Sequence, residues 1–342
     1  MRLTEPENLD IVAISQIFTK RNEKMGRLLT LVLLLGAVFV CPCSAKPLDP
    51  SIVDSDAGWL FHADYDQFNK SKTGNLIKQQ MSLLGLDSHL TDFSNKFAFN
   101  PLEDVNSVTI YGQGEDKSKA VAIVYANFEK QVLLDLLEKD STHEVIEYEN
   151  QKIHKFRNKK RADDEGEIVF VLLNTNNIIL STGLDAVKAA ADNQNADKNN
   201  VANTALLSLL KNNHSPAIIQ LAGINIAENL SPKNNSIILK QTDTLSVTIG
   251  ELNERFYIDL NMTAYESQTA VDIENMIRGF ISLGYLANEK HPEWTKIAQA
   301  TQLTRKDKTI NIYFEAEPEF ILSMSVEAWK KNMPTKCADL NP

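Results

Sequence analysis

The chain has 342 residues, 43% apolar and 23% charged, with 13 Gly and 11 Pro, which excludes collagen-like, coiled-coil and wholly disordered classes. Lys plus Arg is 35 against 45 for Asp plus Glu, a formal charge of −10. Outside the first 45 residues only Arg157, Arg161, Arg255, Arg278 and Arg305 are arginines, so the concentrated basic face of a nucleic-acid binder is missing.

The N-terminal 45 residues read as an export segment. Leu28 to Val40 is an uncharged apolar run of 13 residues, preceded by Lys24 and Arg27 and followed by Cys41-Pro-Cys-Ser-Ala45. A spanning helix needs about 20 apolar residues, so this pattern implies a cleaved signal and a mature chain beginning at Lys46. Met25 opens a signal of normal length by itself, which places the true start there. Val38-Phe39-Val40 before Cys41 does not fit a lipoprotein signal, and no stable membrane anchor is expected after cleavage. The expected location is periplasmic or extracellular. Cys41 and Cys43 leave with the signal, and Cys337 alone cannot form an internal disulfide.

The remaining 297 residues fit two domains, or one domain of two similar halves. Alternation from Trp59 to Phe68 predicts a strand, with Trp59, Phe61, Ala63 and Tyr65 on one face and Leu60, His62, Asp64 and Asp66 on the other. A helix is expected over 75–84, closed by Gly85. Strands at 105–111 and 120–125 flank a hairpin connection, Gly112 to Lys117, and an amphipathic helix follows at 129–139. Strands at 144–149, 151–157, 168–173 and 178–181 lead to Thr182-Gly-Leu-Asp185, a capping-box pattern opening a helix at 186–191.

The polar, Asn-rich stretch 192–203 is the boundary candidate, dividing a first half (46–191) from a second (204–332), with a tail at 333–342. The second half reads as a helix at 204–211, strands at 217–221, 244–249 and 255–263, and a long helix at 267–288. The apolar stripe of that helix, Ile273, Met276, Ile277, Phe280 and Gly284, is expected to face the core. A helix at 292–300, a strand at 309–314 and a closing helix at about 318–330 complete it. Ser107-Val-Thr-Ile110 recurs as Ser246-Val-Thr-Ile249, each followed by a turn, a strand and a helix. These features predict an α+β fold: duplicated units of mainly antiparallel sheet with amphipathic helices packed on one face.

The signal followed by Leu60-Phe-His-Ala-Asp64, the recurring strand-pair-plus-helix unit and the closing strand and helix from Thr309 to Lys330 resemble a group of uncharacterised bacterial exported proteins. The resemblance spans most of 57–330 and implies no activity.

His62, Asp64 and Asp66 form the sharpest constellation, because an imidazole and two carboxylates at i, i+2 and i+4 on one strand face suit a divalent metal and a metal-dependent hydrolase. The competing reading is a solvent face. Neither H-E-x-x-H, G-x-S-x-G nor a Walker-type loop occurs, and Gly112-x-Gly114 precedes a strand rather than a helix. The basic run Lys155 to Arg161 beside Asp163 to Glu165 reads as a locally compensated loop or a contact for an anionic polymer. No catalytic residue, cofactor or metal ligand set is nominated. The chain reads as an exported non-enzymatic binding or structural module with an unknown protein or polymer partner. A metal-dependent hydrolase and a carrier of an apolar ligand between sheet and long helix are the alternatives.

Overall fold

The computed structural model describes residues 47–83, 94, 99–157, 168–174, 177–195, 204–211, 216–229, 236–287 and 292–324. The export segment, Gly85, most of the basic run, residues 196–203 of the Asn-rich stretch, Cys337 and the C-terminal tail lie outside them.

In chain order the first half contains β1 (Trp59–Asp64), α1 (Tyr65–Lys70), α2 (Lys72–Leu83), a helical turn α3 (Pro101–Asp104), β2 (Val105–Gly112) and β3 (Val121–Ala126). It continues with α4 (Lys130–Glu138), β4 (Glu144–Tyr148), β5 (Gln151–Arg157), β6 (Ile168–Leu173), β7 (Asn177–Ser181) and α5 (Leu184–Asn195); α6 (Thr204–Ser208), which the sequence reading assigned to the start of the second half, packs Leu206 into the core of the first. The second half contains β8 (Ala217–Gly223), α7 (Ile226–Asn229), β9 (Thr242–Leu252), β10 (Arg255–Ala264), α8 (Ser267–Leu286), α9 (Pro292–Ala300), β11 (Thr301–Lys306) and β12 (Thr309–Ala316). Residues 318–324 are again helical. The α+β expectation holds.

Among the described residues twelve strands join one sheet, in the order β11-β12-β10-β9-β8-β1-β2-β3-β7-β6-β5-β4. Every pairing is antiparallel. The halves therefore meet at β1 and β8, where Phe61 stands opposite Leu221. The two Ser-Val-Thr-Ile segments lie on β2 and β9, one strand outward from that central pair on either side.

The helical cover changes face midway along the sheet. On one face Leu60, Tyr111, Val121, Ile123, Ile153 and Ile179 pack under Val187, Ala190 and Ala191 of α5 and under Leu206 and Leu210. On the opposite face α1 and α2 bring Phe68, Ile77 and Met81 against Ala63 and Ile219. Farther along that second face, Ala270 and Ile273 of α8 cover Met262 and Ile310, and Ile321 covers Phe256 and Ala316. Helices 184–195 and 318–324, each following the last strand of its half, thus cover opposite faces.

Three expectations need correction. The strand at 59–68 ends at Asp64, because its carboxylate accepts the Gln67 N–H at 3.0 Å and starts α1. Local capping overrides the alternation that continues to Phe68. The helix expected at 186–191 begins at Leu184 and runs on through 192–195. Its polar end is held to the sheet, since Gln194 accepts the side-chain N–H groups of Asn174 and Asn177 and Asp192 accepts the Tyr148 hydroxyl. Strand β11 was not anticipated. Five of its six residues are polar and it is the outer strand of the sheet, so it has no apolar face to announce it.

One long-range contact fixes α2. The Glu251 carboxylate on β9 accepts the Lys72 and Thr73 backbone N–H groups and the Thr73 hydroxyl, each at 2.7 Å. A side chain 179 positions away thereby caps the helix N-terminus.

Candidate functional site

β1 positions His62 and Asp64, but neither lies on a solvent face. As the strand joining the halves it is sheltered on both sides, leaving Leu60 at 0%, His62 at 3%, Asp64 at 4% and Asp66 at 7% exposure. The solvent-face reading is overturned by this central placement. His62 Nδ1 lies 2.9 Å from the Thr109 hydroxyl and its Nε2 has no partner. Burial lowers its pKa to about 4, so the ring is neutral at pH 7.

The carboxylates of Asp64 and Asp66 are both pushed up by burial. For Asp64 this works against the stabilising N–H of Gln67, and for Asp66 against the charge of Lys70. Asp64 is committed to capping α1, and Asp66 sits within that helix instead of two positions along a strand. The i, i+2, i+4 line on which the metal-centre expectation rested does not exist. Among the described residues no group of three or more His, Cys, Asp or Glu side chains gathers to hold a metal ion.

His143 and His154 form a second titratable pair, with His143 Nε2 2.9 Å from His154 Nδ1 and ring planes within 7°. Burial chiefly, then the neighbouring His143, Lys130 and Lys152, lowers the pKa of His154. Of the basic run, Lys155 is spent on Glu144 at 2.7 Å. A cleft of about 750 Å³ runs between α9 and residues 318–324, lined in part by Arg255, Lys296, Glu315 and Glu317. Arg255 is ion-paired there to Glu315 and Glu317.

Two surfaces escaped the sequence reading. The first is a polar row across the sheet. Following the register from strand to strand, Thr109, His62, Gln220, Thr248, Asp259, Tyr313 and Gln302 stand opposite one another in turn. At about 4.8 Å per strand the row is roughly 29 Å long. Beside it, Ser246, Asn261, Asn311 and Thr304 form a parallel row on β9, β10, β12 and β11. Asn311 Nδ2 donates to Asp259 at 2.6 Å and to Asn261 Oδ1 at 3.0 Å, and Asn261 Nδ2 donates to Asp259 at 3.2 Å. The signal was present in the sequence: β9, β10 and β12 each alternate, and their non-apolar members are mostly hydroxyls and amides, with Asp243, Glu251, Arg255, Asp259 and Glu315 among them.

The second surface is apolar. α8 expected its stripe in the core, and Ile273 and Gly284 are indeed buried. Met276 and Phe280, however, are 39% and 64% exposed, with Leu283 at 61%, Leu286 at 81% and Trp294 on α9 at 56%. At 100° per residue, Met276, Phe280 and Leu283 form a stripe beside the buried one. α9 crosses α8 at Gly284, where an added Cβ would lie 2.9 Å from Ala298 Cβ and 3.1 Å from the Trp294 carbonyl. Among the described residues no helix is long and apolar enough to cross a membrane.

Searches for related proteins found no matching family model and no matching curated protein. Solved structures of TP0453 are similar in outline at 10% identity. Its crystal form III gives a TM-score of 0.45 over 81% of this chain and 97% of that one; form I gives 0.43 over 83% and 98%. A likeness at this level carries nothing over to this chain.

Proposed function

We propose that the protein is an exported, non-enzymatic binding module whose docking element is the α8–α9 hairpin, and that its partner there is a second copy of the same chain. The observation that carries the reading is the uncovered apolar surface of Met276, Phe280, Leu283, Leu286 and Trp294. Taking aromatic side chains at roughly 200 Å² each, the patch exposes on the order of 500 Å² of apolar area, at the upper end of what monomers leave in water. That is the size of the apolar centre of an interface burying about 800 Å² per partner. The stripe carries no charge, and Arg278 between its members points to Glu274 at 2.7 Å. Homodimer interfaces are the more apolar class, which favours a second copy over a transient partner. The export segment read from residues 1–45 of the sequence would give the protein a periplasmic or extracellular setting.

The order of elements also supports derivation from one duplicated unit. β1, β2 and β3 run outward from the centre as β8, β9 and β10 do on the other side. Val108 and Ile110 share a sheet face with Val247 and Ile249. The closing helices depart from the repeat by covering opposite faces.

Sedimentation velocity tests the docking proposal. The wild-type protein is expected at twice the monomer mass, and Phe280→Glu/Leu283→Glu at the monomer mass with an unchanged circular dichroism spectrum. A wild-type monomer at all concentrations would overturn it.

A further inference from the structure

We propose that His143 and His154 form an acid-sensitive latch. It ties the turn between α4 and β4 to β5 while the pair carries at most one added proton, and releases that corner when it carries two. His143 Nε2 and His154 Nδ1 are 2.9 Å apart, with ring centroids at 5.2 Å and planes within 7°. That centroid separation is the nitrogen–nitrogen distance plus the two ring radii. The imidazoles therefore lie edge to edge in one plane, and their facing nitrogens point straight at each other. Such a bond is one ring's N–H donating to the bare nitrogen of the other.

In the neutral pair the facing nitrogens share one proton, and the donor ring leaves its outward nitrogen bare. A first added proton takes that outward nitrogen and makes the contact a charge-assisted bond, which tightens it. A second can take only the acceptor's facing nitrogen. That ends the bond and sets two N–H groups and two positive charges against each other. The protons therefore bind in two separated steps that belong to the pair.

The surroundings oppose the second charge. His154 is buried, and its pKa is lowered by that burial first, then by His143, by Lys130 of α4 and by Lys152 of β5. Its neighbours across the sheet are apolar, Val145 on β4 and Val171 on β6. The carboxylates adjoining His143 in sequence are engaged elsewhere: Glu144 with Lys155, Glu147 with Lys152, and Asp140 with the N–H and hydroxyl of Thr142. The closed pair thus refuses a proton that released rings accept below about pH 6.5, so the latch weakens as pH falls. The corner it holds is otherwise lightly anchored. β4 is an outer strand of the sheet, paired to β5, and α4 has no fully buried residue. A second tie is the Thr142 hydroxyl, which accepts the Arg157 N–H at 3.0 Å. Elements with so little buried surface open locally at small cost.

Amide hydrogen exchange of the purified protein at pH 7.5 and pH 5, corrected for the intrinsic rates, tests the latch. On acidification, protection of α4 and β4 is expected to fall at least about fivefold more than protection of β9 and β10. The reference strands register the global loss that His62 imposes, so the excess belongs to the corner alone. His143→Gln keeps a hydrogen-bonding side chain beside His154 but takes up no proton, and should remove the excess. An NMR titration of the wild-type imidazoles should show two steps for the pair. Equal losses of protection across the sheet, the same excess in His143→Gln, or a single-step titration would each overturn the proposal.

Discussion

Replacing His62 by Gln should remove a defined part of the protein's acid sensitivity. The folded protein holds the ring neutral, with its pKa lowered by burial from 6.5 to about 4. Between those values the unfolded chain binds a proton that the folded chain refuses, so stability falls as pH falls. At 1.36 kcal/mol per pH unit the gap corresponds to about 3 kcal/mol, fully present above pH 6.5 and lost by pH 4. By pH 5 about 2 kcal/mol of it has gone. His154, also lowered, acts in the same direction, whereas Asp64 and Asp66, raised by burial, act in the opposite one. Comparing wild type with His62→Gln cancels those contributions, because Gln keeps a hydrogen-bonding group near Thr109 and does not titrate. Urea unfolding at pH 8 and pH 5 measures the difference. Wild type should lose about 2 kcal/mol more than the variant on acidification. Equal losses would refute the burial argument.

Glu251→Ala should cost about 2–3 kcal/mol, since three bonds to an ionised carboxylate disappear and the first turn of α2 loses its cap; urea unfolding at pH 7 measures it. Gly183→Ala should destabilise by about 2 kcal/mol, because the new Cβ would lie 2.0 Å from the Ser118 carbonyl oxygen and backbone must move. A thermal melt of that variant matching wild type would show that the Ser118 turn yields freely.

Most strands and helices were legible because their apolar residues recur at the period of the element. β2, with Val108 and Ile110, and α8, with Ile273 and Ile277, are the plainest cases. What failed was whatever depended on neighbours distant in sequence. Nothing local reveals that β1 lies at the centre of a twelve-stranded sheet, so the burial of His62 was unreadable although its alternation was plain. The capping of α2 by Glu251 was likewise out of reach, since its two partners are 179 residues apart. Phe280 and Ile277 are both apolar and three positions apart, yet only the position of the sheet decides which one is covered. The polar rows illustrate the reverse case. Their alternation is local, but their alignment across seven strands exists only in the register.

The docking of two copies through the α8–α9 hairpin is tested most directly by a distance across the pair. Ser282 lies on α8, exposed and off the apolar stripe, so Ser282→Cys accepts a nitroxide label without occupying the contact. With Cys337, the one cysteine of the chain beginning at Lys46, replaced by Ser, double electron–electron resonance should give a single short distance between labels on partner chains. That distance should vanish when Phe280→Glu and Leu283→Glu are added. A featureless background decay from the labelled wild-type surface would contradict the account.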